Sequence, residues 1–403
     1  MNLATLTLSY LRARALNTAL HVVLLALGIG TITLLLLATT QLDQRMRRDA
    51  QGIDLVVGAK GSPMQIILSS IYHLDVPTGN IAYTQAKEIA AHRAVKKVIP
   101  LALGDSYQGF RIAGTTPDYV AHYGGKLATG KLWQQPLEVV LGAEVAARTG
   151  HGVGAKFAGA HGLGDGGDVH EGADYVVTGV LAPGGAVLDR LVLTAVESVW
   201  AVHAQHQGIH DVANAAAQMK DEEKEYTALL IQYASPLAAA ILPRYINNNS
   251  DMQAASPAFE TARLFSIIGV GVDVLRGFAL VLVFSAGLSV FIALYGALNE
   301  RRYDLAIMRT LGAAPGRLMA LMLTEGVLLA GAGGVLGLAL GHGFAEIVGI
   351  ALRSARQVEI TGLTWLPEEF LLLAMALVVG AVAALLPAWR AYRTDIAGTL
   401  ARG

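Results

Sequence analysis

Four long apolar runs limit what this 403-residue chain can fold into more than any other feature. They lie at about Leu20–Thr40, Gly277–Leu298, Leu318–Ala345 and Phe370–Leu386, and apart from Glu325 none carries a charge. A helix needs ~20 apolar residues to cross the hydrocarbon core of a bilayer, so each run is long enough or nearly so. Because the first run sits near the N-terminus, a cleaved signal peptide is the competing reading. Its apolar stretch is too long for one and no small-residue cleavage site precedes Gln41–Gln44, so the run reads as an uncleaved anchor. Ahead of it, Leu3, Leu6, Tyr10 and Leu11 fall near one another on a helix that suits the membrane interface.

Arginine placement orients the spans. Arg301, Arg302, Arg309 and Arg317 occupy the second connection and Arg390, Arg393 and Arg402 the tail, whereas 346–369 holds four glutamates against Arg353 and Arg356. Both termini are therefore read as cytoplasmic. Arg45, Arg47 and Arg48 directly after the first run argue the other way, but a long folded loop is translocated largely regardless of charge. The predicted fold class is a multi-pass membrane protein: four transmembrane helices with a large α+β extracytoplasmic domain inserted between helices 1 and 2. The segments are 1–41 (interfacial helix and first span), 42–273 (outer domain with stalk), 274–298 (second span) and 299–317 (cytoplasmic coupling loop). Then follow 318–345 (third span), 346–369 (external loop), 370–387 (fourth span) and 388–403 (cytoplasmic tail).

The outer segment has its own composition: all nine lysines lie between Lys60 and Lys224, and nine of the eleven histidines between His73 and His210. Short β-branched runs bounded by glycine or proline, at 137–142, 175–181 and 191–194, read as strands. Thr84–Ala94 and Ala195–Gln207 have helical spacing, while the glycine-rich His151–Gly172 reads as a loop and the acidic 211–225 as a solvated surface. Pro257–Val274 reads as an outward extension of the second span. A net charge of −1 with no basic domain gives no reason to expect nucleic acid, and the absence of cysteine excludes disulfides, thiolate metal sites and cysteine nucleophiles.

Three constellations carry possible function. Between the second and third spans, Leu305, Met308 and Leu311 recur at i, i+3 and i+6, so they share a helical face, with the arginines directed into water and Gly312 ending the helix. In the third span Gly333, Gly337 and Gly341 repeat every four residues, a spacing that lets two helix backbones approach in lipid. Packing within the subunit and a dimer seam are both open readings. Glu325 in the same span needs a partner, for which Thr324 and the arginines near the N-terminus are available. The third constellation is the outer histidines. His203, His206 and His210 share a helical face, and His161 and His170 lie near Asp165, Asp168 and Glu171. Imidazoles with carboxylates suit zinc, although the spacing matches no tight ligand signature, and scattered surface histidines are the plain alternative. Lys60 between Gly58 and Gly61 lacks the order of a phosphate loop, and no GxSxG or HExxH occurs, so the chain is read as no enzyme. Any ATPase belongs to another chain.

The stretch from Glu300 to Gly341, with ERRYDLAIMRTLGA followed by an acid and a glycine-rich span, resembles the coupling segment of MacB/FtsX/LolC-type ABC transporter permeases. The tail PAWRAYRTDIAGTLAR is similar to that family's ending, with Asp395-Ile396 where Asp-Pro is usual, and EVVLGAEVAARTGHGVGAKF and YVVTGVL resemble its extracytoplasmic core. The resemblance implies a bacterial inner-membrane permease that performs mechanical work on an envelope substrate such as a lipoprotein, lipid, peptide or drug. It implies a cytoplasmic ABC ATPase as partner, with ATP and Mg held there and no cofactor in this chain. The ATPase would dock on Glu300, Arg301, Arg302, Asp304, Leu305, Met308, Arg309, Leu311 and Gly312, and Glu325 with the three glycines would couple the spans. A homodimer or a paralogous permease and a periplasmic or lipoprotein partner are also implied. The alternatives are an FtsX-like regulatory subunit controlling an envelope partner, and a metal-linked envelope transport component using zinc.

Overall fold

A computed structural model describes residues 3–162, 169–205, 218–354 and 360–393. The chain divides into two compact units, Met1–Leu42 with Ile268–Gly403, and Asp43–Ile267.

The first unit is helical. Helices Ala15–Asp49, Pro257–Glu300, Pro315–Ser354 and Glu369–Tyr392 are each long and apolar enough to cross a membrane, as expected from the four runs. Three of them outrun their apolar segments. The first continues through Gln41–Asp49 and the third through Glu346–Ser354, because residues such as Gln, Arg, Met and Glu sustain a helix whether or not lipid surrounds it. The second starts at Pro257, whose fixed φ suits a first helical position, and runs unbroken to Glu300. Leu3–Ala13 forms a separate short helix.

Small residues set the packing of the third helix on two neighbours. A Cβ at Gly333 would lie 3.0 Å from Leu25, one at Gly337 2.7 Å from Ile29, and one at Gly341 2.5 Å from Thr33. The glycine row therefore seats the first helix. A second row does the same for the fourth helix, where a Cβ at Gly326 would meet Ala384 at 2.7 Å and one at Gly334 would meet Ala376 at 3.0 Å. Large apolar side chains that would face water in a soluble protein, among them Phe278, Phe284, Ile292, Val378 and Val382, stand exposed around this unit, as lipid contact requires.

The second unit is the α+β domain between the first and second spans. Its strands are β1 (Leu55–Ala59), β2 (Ile81–Ala82), β3 (Val95–Tyr107), β4 (Phe110–Thr115), β5 (Leu127–Gly130) and β6 (Glu138–Leu141). There follow β7 (Lys156–His161), β8 (Val169–Leu181), β9 (Leu191–Ala195), β10 (Glu225–Tyr226), β11 (Ala228–Tyr233) and β12 (Met252–Ala255). Ten of them make one mixed sheet in the order β12-β1-β11-β3-β4-β9-β6-β8-β5, with β7 pairing both β3 and β8. The pairings β3-β4-β9-β6-β8-β7-β3 thus return on themselves as a closed ring of six strands. Among the described residues two pairs close it, Asp105 opposite His161 and Ser106 opposite Ala160, with the Gly162 N–H donating to the Gly104 carbonyl at 2.9 Å beside them. Ile112, Val139, Leu141, Tyr175, Val177 and Val192 from ring strands, with Val199 and Val202 from helix Val196–Gln205, form one core. Leu55, Val57, Leu229 and Ile231 form another against Ile89, Leu242 and Ile246 of two further helices. Each fully buried aliphatic side chain contributes about 1.5–3 kcal/mol.

The glycine-rich 151–172 segment departs from the expected loop. Lys156–His161 and Val169 onward are paired strands, because tertiary packing uses the missing side chains. A Cβ at Gly159 would press on Ile112 at 3.0 Å and Tyr175 at 3.3 Å.

Candidate functional site

Between the second and third spans the chain forms the helix Arg302–Thr310. Its end is a Schellman turn: the Ala313 N–H donates to the Met308 carbonyl at 2.9 Å and the Gly312 N–H to that of Arg309 at 3.1 Å. Gly312 has φ +94°, a conformation that glycine adopts without Cβ strain.

Leu305 is fully buried with Leu298, Leu318, Leu321, Met322, Ala388 and Ala391, and Met308 packs at the rim of that cluster. These neighbours belong to the second, third and fourth spans. Leu311 corrects the expected face, since it is 82% exposed. It is the residue at which the helix has already ended, with ψ near 7°, so the helical spacing no longer applies to it. The exposed side carries instead Tyr303, Ile307 and Leu311. Sequence reasoning missed this row: Tyr303 and Ile307 share a helical face by their i, i+4 spacing, but that Leu311, past the helix end, stands exposed beside them is not encoded in that period.

The arginines do not all point into water. Arg302 and Arg317 are exposed, and Arg309 is half-buried with its guanidinium donating to the Ala313 carbonyl at 3.0 Å. Arg301 turns inward, 3.6 Å from the Glu325 carboxylate and with its guanidinium 3.8 Å from the centre of the Tyr10 ring. The reason is electrostatic: a buried carboxylate needs a counter-charge, and a planar guanidinium can serve it while stacking on an aromatic face. Thr324 is not that partner, because its hydroxyl donates to the Ala320 carbonyl of its own helix at 2.7 Å. Glu300 pairs with Arg14, and Asp304 is exposed. The open question about Gly333, Gly337 and Gly341 is answered within this chain by Leu25, Ile29 and Thr33 of the first span.

In the second unit, His161 and His203 come together around a residue that sequence reasoning overlooked, Asp105. His161 Nδ1 lies 3.2 Å and His203 Nε2 3.7 Å from the same oxygen, Asp105 Oδ1. Asp105 and His161 face each other across the seam that closes the six-stranded ring. The register of β3 against β4 breaks between Leu103 and Ser106, an irregularity of the kind that re-aims a side chain. His203 comes from the last turn of helix Val196–Gln205, and Gly104 leaves room for its ring, since a Cβ there would lie 3.3 Å from His203 Cε1. Asp105 is buried and the imidazoles partly exposed, so the cluster opens to solvent on the histidine side. Burial, and secondarily the Asp105 charge, push the Tyr175 hydroxyl up from its ordinary value. His170 lies on β8 but its side chain is outside the described part, and His206 and His210 are outside the described residues. The available signal for Asp105 was an acid within the otherwise apolar strand sequence LALGDSY.

Comparison with known protein families places residues 276–396 in the FtsX-like permease C-terminal domain and residues 18–229 in the MacB-like periplasmic core domain. No curated protein matches the chain. Among solved structures, the periplasmic region of MacB from Actinobacillus actinomycetemcomitans is similar at 11% identity and TM-score 0.33, over 53% of this chain and 95% of that one. The extracellular domain of the noncanonic ABC-type transporter YknZ from Gram-positive bacteria is similar at 12% identity and TM-score 0.29, over 51% and 99%.

Proposed function

Because the chain belongs to the MacB/FtsX-like family of ABC transporter permeases, we propose that it turns ATP hydrolysis by a separate cytoplasmic ATPase into mechanical work on an envelope substrate. Permeases of this family work with such an ATPase. The chain is a multi-pass inner-membrane protein with its large domain on the periplasmic side.

One observation carries the reading. Helix Arg302–Thr310 is anchored by Leu305 to side chains from three spans, while Tyr303, Ile307 and Leu311 stand exposed beside it. A partner that pushes on the exposed row acts on the spans through the buried one, because a packed interior transmits displacement with little compression. Apart from Glu325, the central parts of the spans carry no polar row suited to a solute path, which favours leverage over conduction. The cargo class is a lipoprotein, lipid, peptide or drug. The working unit is a dimer with a second copy or a paralogous permease, served by a periplasmic or lipoprotein partner.

The test is co-purification with the partner ABC ATPase, and stimulation of its hydrolysis, for a Tyr303→Asp/Leu311→Asp variant. Both should fall at least tenfold while the melting temperature in detergent stays within a few degrees. Undiminished co-purification and stimulation would sink the docking role. Leu305→Asp is unsuited to this purpose, since it buries a charge and disturbs the fold itself.

A further inference from the structure

We propose that Asp105, His161 and His203 form a binding site for a divalent transition-metal ion, with zinc the best fit. The inference is independent of the coupling mechanism.

The geometry argues for it first. Two ligands held about 2.0–2.1 Å from a tetrahedral zinc ion stand about 3.3–3.4 Å apart. The separations from Asp105 Oδ1 to His161 Nδ1 and His203 Nε2 are 3.2 and 3.7 Å, and the ligand atoms of all three residues lie within 4.8 Å of one another. The imidazole planes are inclined at 79°, so the rings meet edge to face and do not stack on one another.

The charge pattern argues for it next. Two ring nitrogens converge on one oxygen of a buried carboxylate. The two ring centres stand 5.4 Å apart. A divalent cation at that point would be held by the carboxylate charge and by both ring nitrogens, histidine binding metals through its neutral imidazole. The donor set selects the class of ion. Imidazole with carboxylate suits zinc and its first-row neighbours, whereas calcium and magnesium require shells of oxygen. Three protein ligands leave a fourth position for water or another donor.

Position gives the ion a consequence. Asp105 is on β3, His161 on β7 and His203 on a helix, and among the described residues the two strands pair at two positions. A bound ion would cross-link the seam that closes the ring, so metal occupancy and the stability of the periplasmic domain would be linked.

The experiment uses the full-length permease in detergent micelles, stripped with a chelator and titrated with Zn²⁺ by calorimetry. The wild type should bind one ion at this site at micromolar metal or tighter, and Asp105→Asn, His161→Gln and His203→Gln should each weaken binding at least tenfold. Zinc should also slow amide exchange at 104–106 and 160–162 in the wild type and not in the variants. The side chain of His161 is 57% exposed, so His161→Gln has little reason to misfold and serves as the decisive variant. No zinc binding by the wild type, or binding and protection unchanged in His161→Gln, would overturn the proposal, the latter by locating the ion elsewhere.

Discussion

The Arg301 guanidinium stands 3.6 Å from the Glu325 carboxylate, with both side chains at least nine-tenths buried. The pair joins the start of the cytoplasmic helix to the third span. Removing one partner strands the other charge, a loss of about 3–5 kcal/mol, whereas replacing both by apolar groups is often neutral. Arg301→Met should therefore lower the melting temperature of the purified permease sharply, and Arg301→Met/Glu325→Leu should recover most of the loss. An Arg301→Met variant that melts like the wild type would show that the pair contributes little.

The seat for the first span makes a size-dependent prediction. Gly337→Leu drives side-chain atoms into Ile29, where even a Cβ would lie only 2.7 Å away, and should cost about 1–3 kcal/mol. Gly343→Leu, six residues further on and with nothing within 4 Å of its Cβ position, should be nearly neutral. Thermal melts of the two variants in the same detergent separate a packing role for Gly337 from a general intolerance of bulk in this helix.

Gly312 can be tested without any steric clash, because no atom lies within 4 Å of the Cβ position. Gly312→Ala pays only for its positive φ, about 1 kcal/mol. Hydrogen exchange should quicken in the last turn of helix Arg302–Thr310, with the spans unaffected. Unchanged protection there would remove the Schellman turn from the account of how this helix is held.

The periplasmic domain should lose stability in mild acid. Burial first, then the charges of Arg111 and Arg190, hold the His73 ring well below its ordinary value of 6.5. Its Nε2 contacts the Tyr119 hydroxyl at 3.1 Å. As pH falls below about 6.5 the unfolded chain takes up the proton before the folded one does, so stability declines from there downward. His122, lowered mainly by burial, acts in the same direction. His73→Asn keeps a residue that tolerates the φ of +54° and cannot be protonated, so the decline should become shallower. Amide exchange around 72–75 and 119–123, followed from pH 7 to pH 5, reads the effect; equal slopes in both proteins would rule His73 out as a source.

Much of the molecule was legible in the sequence because its signals are local. An apolar run of span length reports a membrane helix wherever it occurs, and the arginine bias of short loops reports its orientation. Gly333, Gly337 and Gly341 announced a close approach by their spacing alone. That the approaching helix carries Leu25, Ile29 and Thr33 could not be read, since spacing describes one surface and says nothing about its mate. The helix ending at Gly312 was legible too, yet Leu311 was assigned to the wrong face because periodicity does not show where a helix stops.

The sequence by itself determined the four spans, the interposed α+β domain and the polar helix between the second and third spans, all of which depend on composition and period within short windows. Only the tertiary structure decided that Arg301 turns inward to Glu325, that Tyr303, Ile307 and Leu311 form the exposed row, and that Asp105 meets His161 and His203. Those relationships join segments distant in the chain. They arise from where strands pair and helices cross, and no local pattern of residues encodes the meeting point.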